Sequence, residues 1–212
     1  MIVQPDVKRC EWPGLNDPIY TVYHDTEWGV PVDDDVRLFE KLILEGFQGG
    51  LSWLTILKKR DHFRAAFDGF CADKMARYGE HDVARLMANA GIVRNRGKIE
   101  GAILSAQAYL RLREDTTLCA FLWGFQHEGP VINRPIRHGD IPTQTATSLQ
   151  ISKALKAKGF RFVGPTTAYA FMQSTGMVND HLTGCHRHGP CEDLQRAFVS
   201  SRTSADHAGR AS

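Results

Sequence analysis

Apolar residues recur at three- and four-residue intervals along most of this chain, the period of helices with one buried face. Asp33, Asp34 and Asp35 offer N-caps and favourable dipole charge to a helix carrying Val36, Phe39, Leu42 and Ile43. A second helix follows Ser52 and turns Trp53, Ile56, Leu57, Phe63 and Phe67 inward. Val83, Leu86, Met87 and Ala90 predict a short helix that stops at Gly91. Ile99, Ile103, Ala106 and Leu110 sustain the period over a longer one, and Leu118, Phe121, Leu122 and Phe125 form another. A Pro/Gly-rich stretch, Pro130–Pro142, then breaks the pattern. Leu149, Ile151 and Leu155 lead to Gly159, and Pro165 suits the first turn of a helix running to Gly176. No run of alternating β-branched residues appears, so the pattern predicts an all-α fold.

Length allows one compact domain over 1–199, or two small helical lobes around a cleft, with the central helices in one and the chain ends in the other. The tail from Ser200 is small and polar and reads as disordered. A net charge of +2 neither supports nor excludes nucleic acid, which needs only a local basic patch. Five cysteines and a start, MIVQPDVKR, without a hydrophobic leader predict a cytoplasmic protein in which metal binding is favoured over disulfides. No apolar run approaches the roughly 20 residues of a membrane span, so no membrane partner is expected.

Candidate chemistry sits first at the two ends. His181 and Cys185 are four apart and would share one face of a helix, as two ligands of one metal must. Cys10 and His24 supply two more ligands of the kind a tetrahedral Cys₂His₂ zinc site needs, while ordinary burial accounts for the same residues. His186, His188 and Cys191 are spare ligands, which leaves Cys185 the least determined of the set. In the helix after Asp35, Leu38, Leu42 and Glu45 follow the i, i+4, i+7 spacing, so Glu45 is either a boundary residue or a carboxylate in a pocket. The following GFQGGLSW permits a sharp turn or close approach to something large. Trp12, Tyr20, Tyr23 and Trp28 either line a pocket for a flat ligand or pack an irregular N-terminal stretch onto the core. Val163-Gly164-Pro165-Thr166-Thr167-Ala168 resembles the V-G-x-x-T-A of helix-hairpin-helix DNA-binding elements. Lys153, Lys156, Lys158 and Arg161 lie beside it, as phosphate contacts require.

Together these segments resemble the 3-methyladenine DNA glycosylase I family, a branch of the helix-hairpin-helix glycosylases. The matching runs are RCEW (Arg9–Trp12), YHDTEWGVP (Tyr23–Pro31), LEGFQGGLSW (Leu44–Trp53), LKKR (Leu57–Arg60), AGIVRNRGKI (Ala90–Ile99), SKALKAKGFRFVGPTTAYAFMQ (Ser152–Gln173) and GMVNDHLTGC (Gly176–Cys185). The resemblance implies a helix-hairpin-helix glycosylase-like domain with one structural zinc per chain, held by Cys10, His24, His181 and Cys185 and joining the N- and C-terminal segments. It implies that Glu45 recognises the base, that Trp12, Tyr20, Tyr23 and Trp53 form the aromatic pocket, and that Gly164, Thr166 and Thr167 meet DNA. Leu51 is the candidate wedge that fills the gap left by a flipped nucleotide. The wider superfamily often carries a catalytic Asp where this chain has Asn179; Asp180 is its neighbour and is assigned no catalysis.

The implied activity is monofunctional excision of 3-methyladenine from double-stranded alkylated DNA by base flipping and hydrolysis, releasing the free base, with a monomer as the working unit. A zinc hydrolase or deaminase would need H-E-x-x-H, or H-x-E with P-C-x-x-C, and neither is present. The other alternative is a catalytically inactive, zinc-stabilised module that binds damaged DNA.

Overall fold

The computed structural model of the protein describes residues 7–209, with side chains through Ser201. Among these residues the chain is helical almost throughout. Its α-helices are α1 (Pro18–Thr26), α2 (Asp35–Gln48), α3 (Trp53–Ala66), α4 (Ala72–Met75), α5 (Glu80–Ala88), α6 (Arg96–Arg113), α7 (Leu118–Trp123), α8 (Ala146–Lys158), α9 (Pro165–Ser174) and α10 (His188–Gly209). None of the described helices is long and apolar enough to cross a membrane. Among the described residues, extended chain pairs once, parallel and over two residues, β1 (Val131–Ile132) against β2 (Val178–Asn179).

Local signals set most of these boundaries. Asp34 caps α2 by accepting from the Arg37 N–H, and Ser52 caps α3 from the Thr55 N–H. Gly159 ends α8 in the left-handed region at φ 100°, a conformation that carries no Cβ penalty in glycine. The N-terminal stretch expected to be irregular instead forms α1, capped by Asp17 and started by Pro18. Val36 and Leu149, expected on buried faces, are exposed; both lie in the first turn of their helices, before the apolar stripe begins. Helix α10 was not legible from periodicity, and it continues through Gly209, past the Ser200 at which composition predicts disorder. Extending an existing helix adds one backbone bond per residue fixed, so a polar end can remain helical. Residues 210–212 of that tail lie outside the described residues.

Two compact units arise from interleaved segments: Met1–Val32 with Gln126–Thr143 and Met172–Ser212, and Asp33–Phe125 with Gln144–Phe171. In the first, the Gly29 N–H donates to the Gln173 carbonyl and the Val32 N–H to the Thr175 carbonyl, tying the segment after α1 to the chain just before β2. Gly176 stands at φ 72° where an added Cβ would lie 2.4 Å from the Pro31 nitrogen, so no side chain fits there. The buried Gln195 of α10 donates to the carbonyls of both Gly29 and Gly176.

In the second unit α2 is the central element, burying Leu38, Phe39, Leu42, Leu44 and Phe47. Phe47 packs on Phe63 at 4.8 Å between ring centroids and on Phe67 at 5.7 Å, and Phe67 stacks on Phe70 at 5.9 Å. Asp35, the first residue of α2, reaches across to α7. Its carboxylate accepts from the Leu118 N–H at 3.0 Å, the Cys119 N–H at 2.8 Å and the Tyr109 hydroxyl at 3.0 Å. Burial, together with this bond to Asp35, pushes the Tyr109 hydroxyl pKa up. Asp35→Ala removes an acceptor shared by three donors and is expected to cost about 2–4 kcal/mol, read as a lower urea midpoint at unchanged slope.

Candidate functional site

Cys10 lies before α1, His24 lies in the last turn of α1, and His181 and Cys185 flank the turn after β2. The last pair does not share a helix face as spacing suggested. The chain turns at Leu182, whose carbonyl accepts from the Cys185 N–H at 2.7 Å, and this turn brings the two side chains to the same point. Cys10 Sγ lies 3.5 Å from His181 Nδ1; Cys185 Sγ lies 3.5 Å from His24 Nε2 and 3.6 Å from His181 Nδ1. All four residues are buried, and their ligand atoms fall within 4.8 Å of one another, an arrangement that could hold a metal ion.

Each imidazole is oriented through its other nitrogen. His24 Nδ1 meets Asp25 Oδ1 at 2.8 Å, which turns Nε2 into the cluster, whereas His181 Nε2 meets the Trp28 carbonyl at 3.0 Å, which turns Nδ1 inward. Burial pushes the Asp25 carboxyl up, but Arg9, His24 and His186 together hold it well below the usual carboxylate range. Arg9 contributes a 2.7 Å ion pair and His186 a 3.0 Å contact. The Leu182 and Arg187 N–H groups donate to the Cys10 and Cys185 sulfurs, each at 3.4 Å. A hydrogen bond with Cys10 draws the Cys185 thiol down in pKa, and against burial His181 and His24 act the same way. Arg9 and Asp25 escaped sequence reasoning, although the adjacency of Arg9 to Cys10 and of Asp25 to His24 was the available signal; His186, read there as a spare ligand, meets Asp25 instead.

The spare ligands are engaged elsewhere: His186 on Asp25, His188 Nε2 on the Asn133 carbonyl at 2.9 Å, and Cys191 on the Trp28 carbonyl at 3.7 Å. Asn179 Oδ1 accepts from the His181 N–H and its amide donates to the His188 carbonyl. Asp180 accepts from Asn133 and Gln173, each at 2.7 Å. Both residues thus hold the turn that carries His181.

Trp12, Tyr20 and Tyr23 come together in this same unit. Trp12 lies 5.2 Å from Tyr20 and meets His24 and Trp28 edge-on at 4.9 and 4.6 Å. Tyr23 is buried while Trp12 and Tyr20 are half-buried, so the cluster both packs against the Cys/His ligands and keeps part of its ring surface open.

The other candidates stand in the second unit. Glu45, in the last turn of α2, is 4 % exposed, which excludes a frayed boundary position. Leu51 is 38 % exposed on the glycine turn, and Trp53 opens α3 half-buried. Gly164, Thr166 and Thr167 open α9, where the Gly164 carbonyl accepts from the Ala168 N–H at 2.8 Å. The connection before them is fixed by Ser152 Oγ donating to the Val163 carbonyl and Ser105 Oγ accepting from the Arg161 N–H. Lys153, Lys156, Lys158 and Arg161 are all exposed beside it.

The family model described as methyladenine glycosylase matches residues 12–188. The chain belongs to this family. It is 48 % identical over 180 residues to DNA-3-methyladenine glycosylase 1 of Escherichia coli strain K12, covering 84 % of this chain and 96 % of that one. Against the DNA-3-methyladenine glycosylase of Haemophilus influenzae Rd it is 45 % identical over 185 residues, 87 % of this chain and 97 % of that one. A crystal structure of 3-methyladenine DNA glycosylase I superposes with a TM-score of 0.82 at 47 % identity, over 84 % of this chain and 98 % of the other. The Staphylococcus aureus glycosylase I, studied for its recognition of 3-methyladenine, gives 0.79 at 38 % identity, over 82 % and 93 %. This family member therefore shares its fold with these relatives over most of its length.

Metal content should follow the four-atom cluster. Cys185→Ser is expected to lose bound metal as measured by plasma mass spectrometry, while Cys191→Ser and His188→Gln retain it at the wild-type ratio.

Proposed function

We propose that the protein is a monofunctional DNA glycosylase that excises 3-methyladenine from alkylated duplex DNA, acting as a cytoplasmic monomer built on one domain over 1–199. Support comes from family membership across nearly the whole chain and from relatives named for this activity. One glycosylase I relative was solved in complex with 3-methyladenine itself. The observation that carries the reading to particular residues is the buried carboxylate of Glu45, placed on a rigid helix in the segment the family resemblance marks.

Methylation at N3 makes adenine cationic and weakens its glycosidic bond, so the enzyme needs less transition-state help than one removing a normal base. In this reading the nucleotide leaves the duplex at a cost of about a few kcal/mol, and Leu51 fills the gap. Trp12, Tyr20, Tyr23 and Trp53 offer π-faces that favour a cationic ring, and Glu45 accepts hydrogen bonds from its edge. Water adds to the sugar carbon as the C–N bond breaks; the bond pair leaves with the now neutral base, and the water proton passes to solvent. Gly164, Thr166 and Thr167 present the start of α9 to a backbone phosphate, with the exposed lysines of α8 beside it.

The Cys/His cluster fits zinc. Ligands at about 2.3 Å for sulfur and about 2.0–2.1 Å for nitrogen, at tetrahedral angles, stand roughly 3.5–3.6 Å apart. The sulfur–nitrogen separations Cys10–His181, Cys185–His24 and Cys185–His181 are 3.5, 3.5 and 3.6 Å. Four protein ligands leave no open position for water, so zinc bound there would supply folding energy and a link between the chain ends.

Base release from methylated duplex DNA, resolved by chromatography, tests the proposal. Wild type should release 3-methyladenine, and Glu45→Gln should release it about 10- to 100-fold more slowly at equal folding and metal content. Folded, metal-loaded wild type that releases no base would overturn the enzyme reading and leave a damage-binding module.

A further inference from the structure

Lys98 stands in the first turn of α6, at a position where a lysine ordinarily extends into water. Its ammonium instead donates to two main-chain carbonyls, Phe47 at 2.9 Å and Gly49 at 2.6 Å. Phe47 is in the last turn of α2, whose final carbonyls have no helical partner, and Gly49 is the cap residue. A cation at a helix C-terminus is favoured by the dipole, and bonds from a charged donor are stronger than neutral ones. Burial pushes the Lys98 pKa down.

The segment that Lys98 holds is a tight turn. Gly49 has φ −46° and ψ 118°, and Gly50 has φ 85°, the pattern of a type II turn with glycine at its third position. The Leu51 N–H donates to the Gln48 carbonyl at 2.7 Å, and Gln48 Nε2 returns a bond to the Leu51 carbonyl at 2.7 Å. Phe162, 47 % exposed, packs closely on α2 before the turn and on α6: an added Cβ on Gly46 would lie 3.2 Å from its Cβ, and one on Gly101 would lie 2.5 Å from its ring. Two consecutive glycines carry more conformational entropy than any other pair when unrestrained. A loop required to enter a duplex gap therefore gains from being ordered before DNA arrives.

We propose that Lys98 is a positioning residue for base extrusion, latching the Gly49–Ser52 turn onto the end of α2 so that Leu51 is presented in a fixed place. The idea rests on the reading of Leu51 as the wedge. It requires that the latch act through Leu51, and therefore on duplex and not on single-stranded substrate, where no gap exists to fill.

Hydrogen exchange and base release on Lys98→Met, Lys98→Arg, Leu51→Ala and the Lys98→Met/Leu51→Ala double variant test it. In Lys98→Met the Leu51 amide should exchange about tenfold faster while the Ile103 and Ala106 amides keep wild-type protection, and Lys98→Arg should restore much of the difference. Turnover of methylated duplex by Lys98→Met should fall about 10- to 100-fold in kcat, while release from methylated single strands stays within about twofold of wild type. In the Leu51→Ala background the same substitution should cost little more. Unchanged Leu51 exchange, equal losses on both substrates, or losses that add in the double variant would each overturn the proposal. Failure of the glycosylase reading is separately visible as absence of release by wild type; the exchange measurement then still decides whether the latch exists.

Discussion

Two thiols and two imidazoles drawn from opposite ends of the sequence meet within 4.8 Å in the interior of one unit. Cys10 and His181 are 171 positions apart, and closing a loop of that length carries a conformational cost that grows slowly with length but must be offset somewhere. The arrangement of the first unit follows from that closure. Helix α1 is placed by His24, the turn after β2 by His181 and Cys185, and the strand pair and Gly176 bring the chain into register for them. A metal ion at this point would supply the compensating energy, and the outer groups are arranged as such a centre requires. Asp25 and the Trp28 carbonyl fix opposite nitrogens of the two imidazoles, and main-chain N–H groups face both sulfurs.

This architecture also accounts for the aromatic residues around the ligands. Trp12 and Trp28 pack edge-on against each other and against His24 and His181, so they shield the cluster from water while Trp12 keeps part of its face open. These packed rings include Trp12, one of the residues proposed to stack on a cationic base. In the second unit Glu45 is buried on α2, the element around which that unit packs. The same helix ends in the glycine turn that carries Leu51, so Glu45, the proposed base-recognising group, and Leu51, the proposed wedge, are offset by six residues on one continuous piece of backbone. The end of α2 is held from another helix by the two main-chain bonds of Lys98, the basis of the positioning role proposed for it.

Much of this was legible beforehand. Helical periodicity identified α2, α3, α5, α6, α7, α8 and α9, and the caps at Asp34, Ser52 and Gly159 stand where residue type placed them. Four parts were not legible, each for a physical reason; α4 is a single turn of four residues, too short to show a period. Helix α1 is short and rich in polar and aromatic residues, so its apolar stripe is too brief to register as a period. The β1–β2 pair is two residues long and buried, below the length at which alternation exists. Helix α10 turns only a few residues inward, among them Cys191 and the polar Gln195, whose burial is made tolerable by partners far away in sequence.

Sequence by itself determined the helical class, the family and the identity of the chemically capable residues, because these depend on residue type and on spacing within one element. Tertiary structure decided how those residues are used. It selected Cys185 over His186, His188 and Cys191 by the turn at Leu182, chose Nε2 of His24 and Nδ1 of His181 through groups on other segments, and gave Asn179 and Asp180 scaffolding duties. It also turned Lys98 from a surface charge into a main-chain latch. Each of these depends on hydrogen-bond directions between segments remote in the chain, which local pattern does not encode and only the packed chain defines.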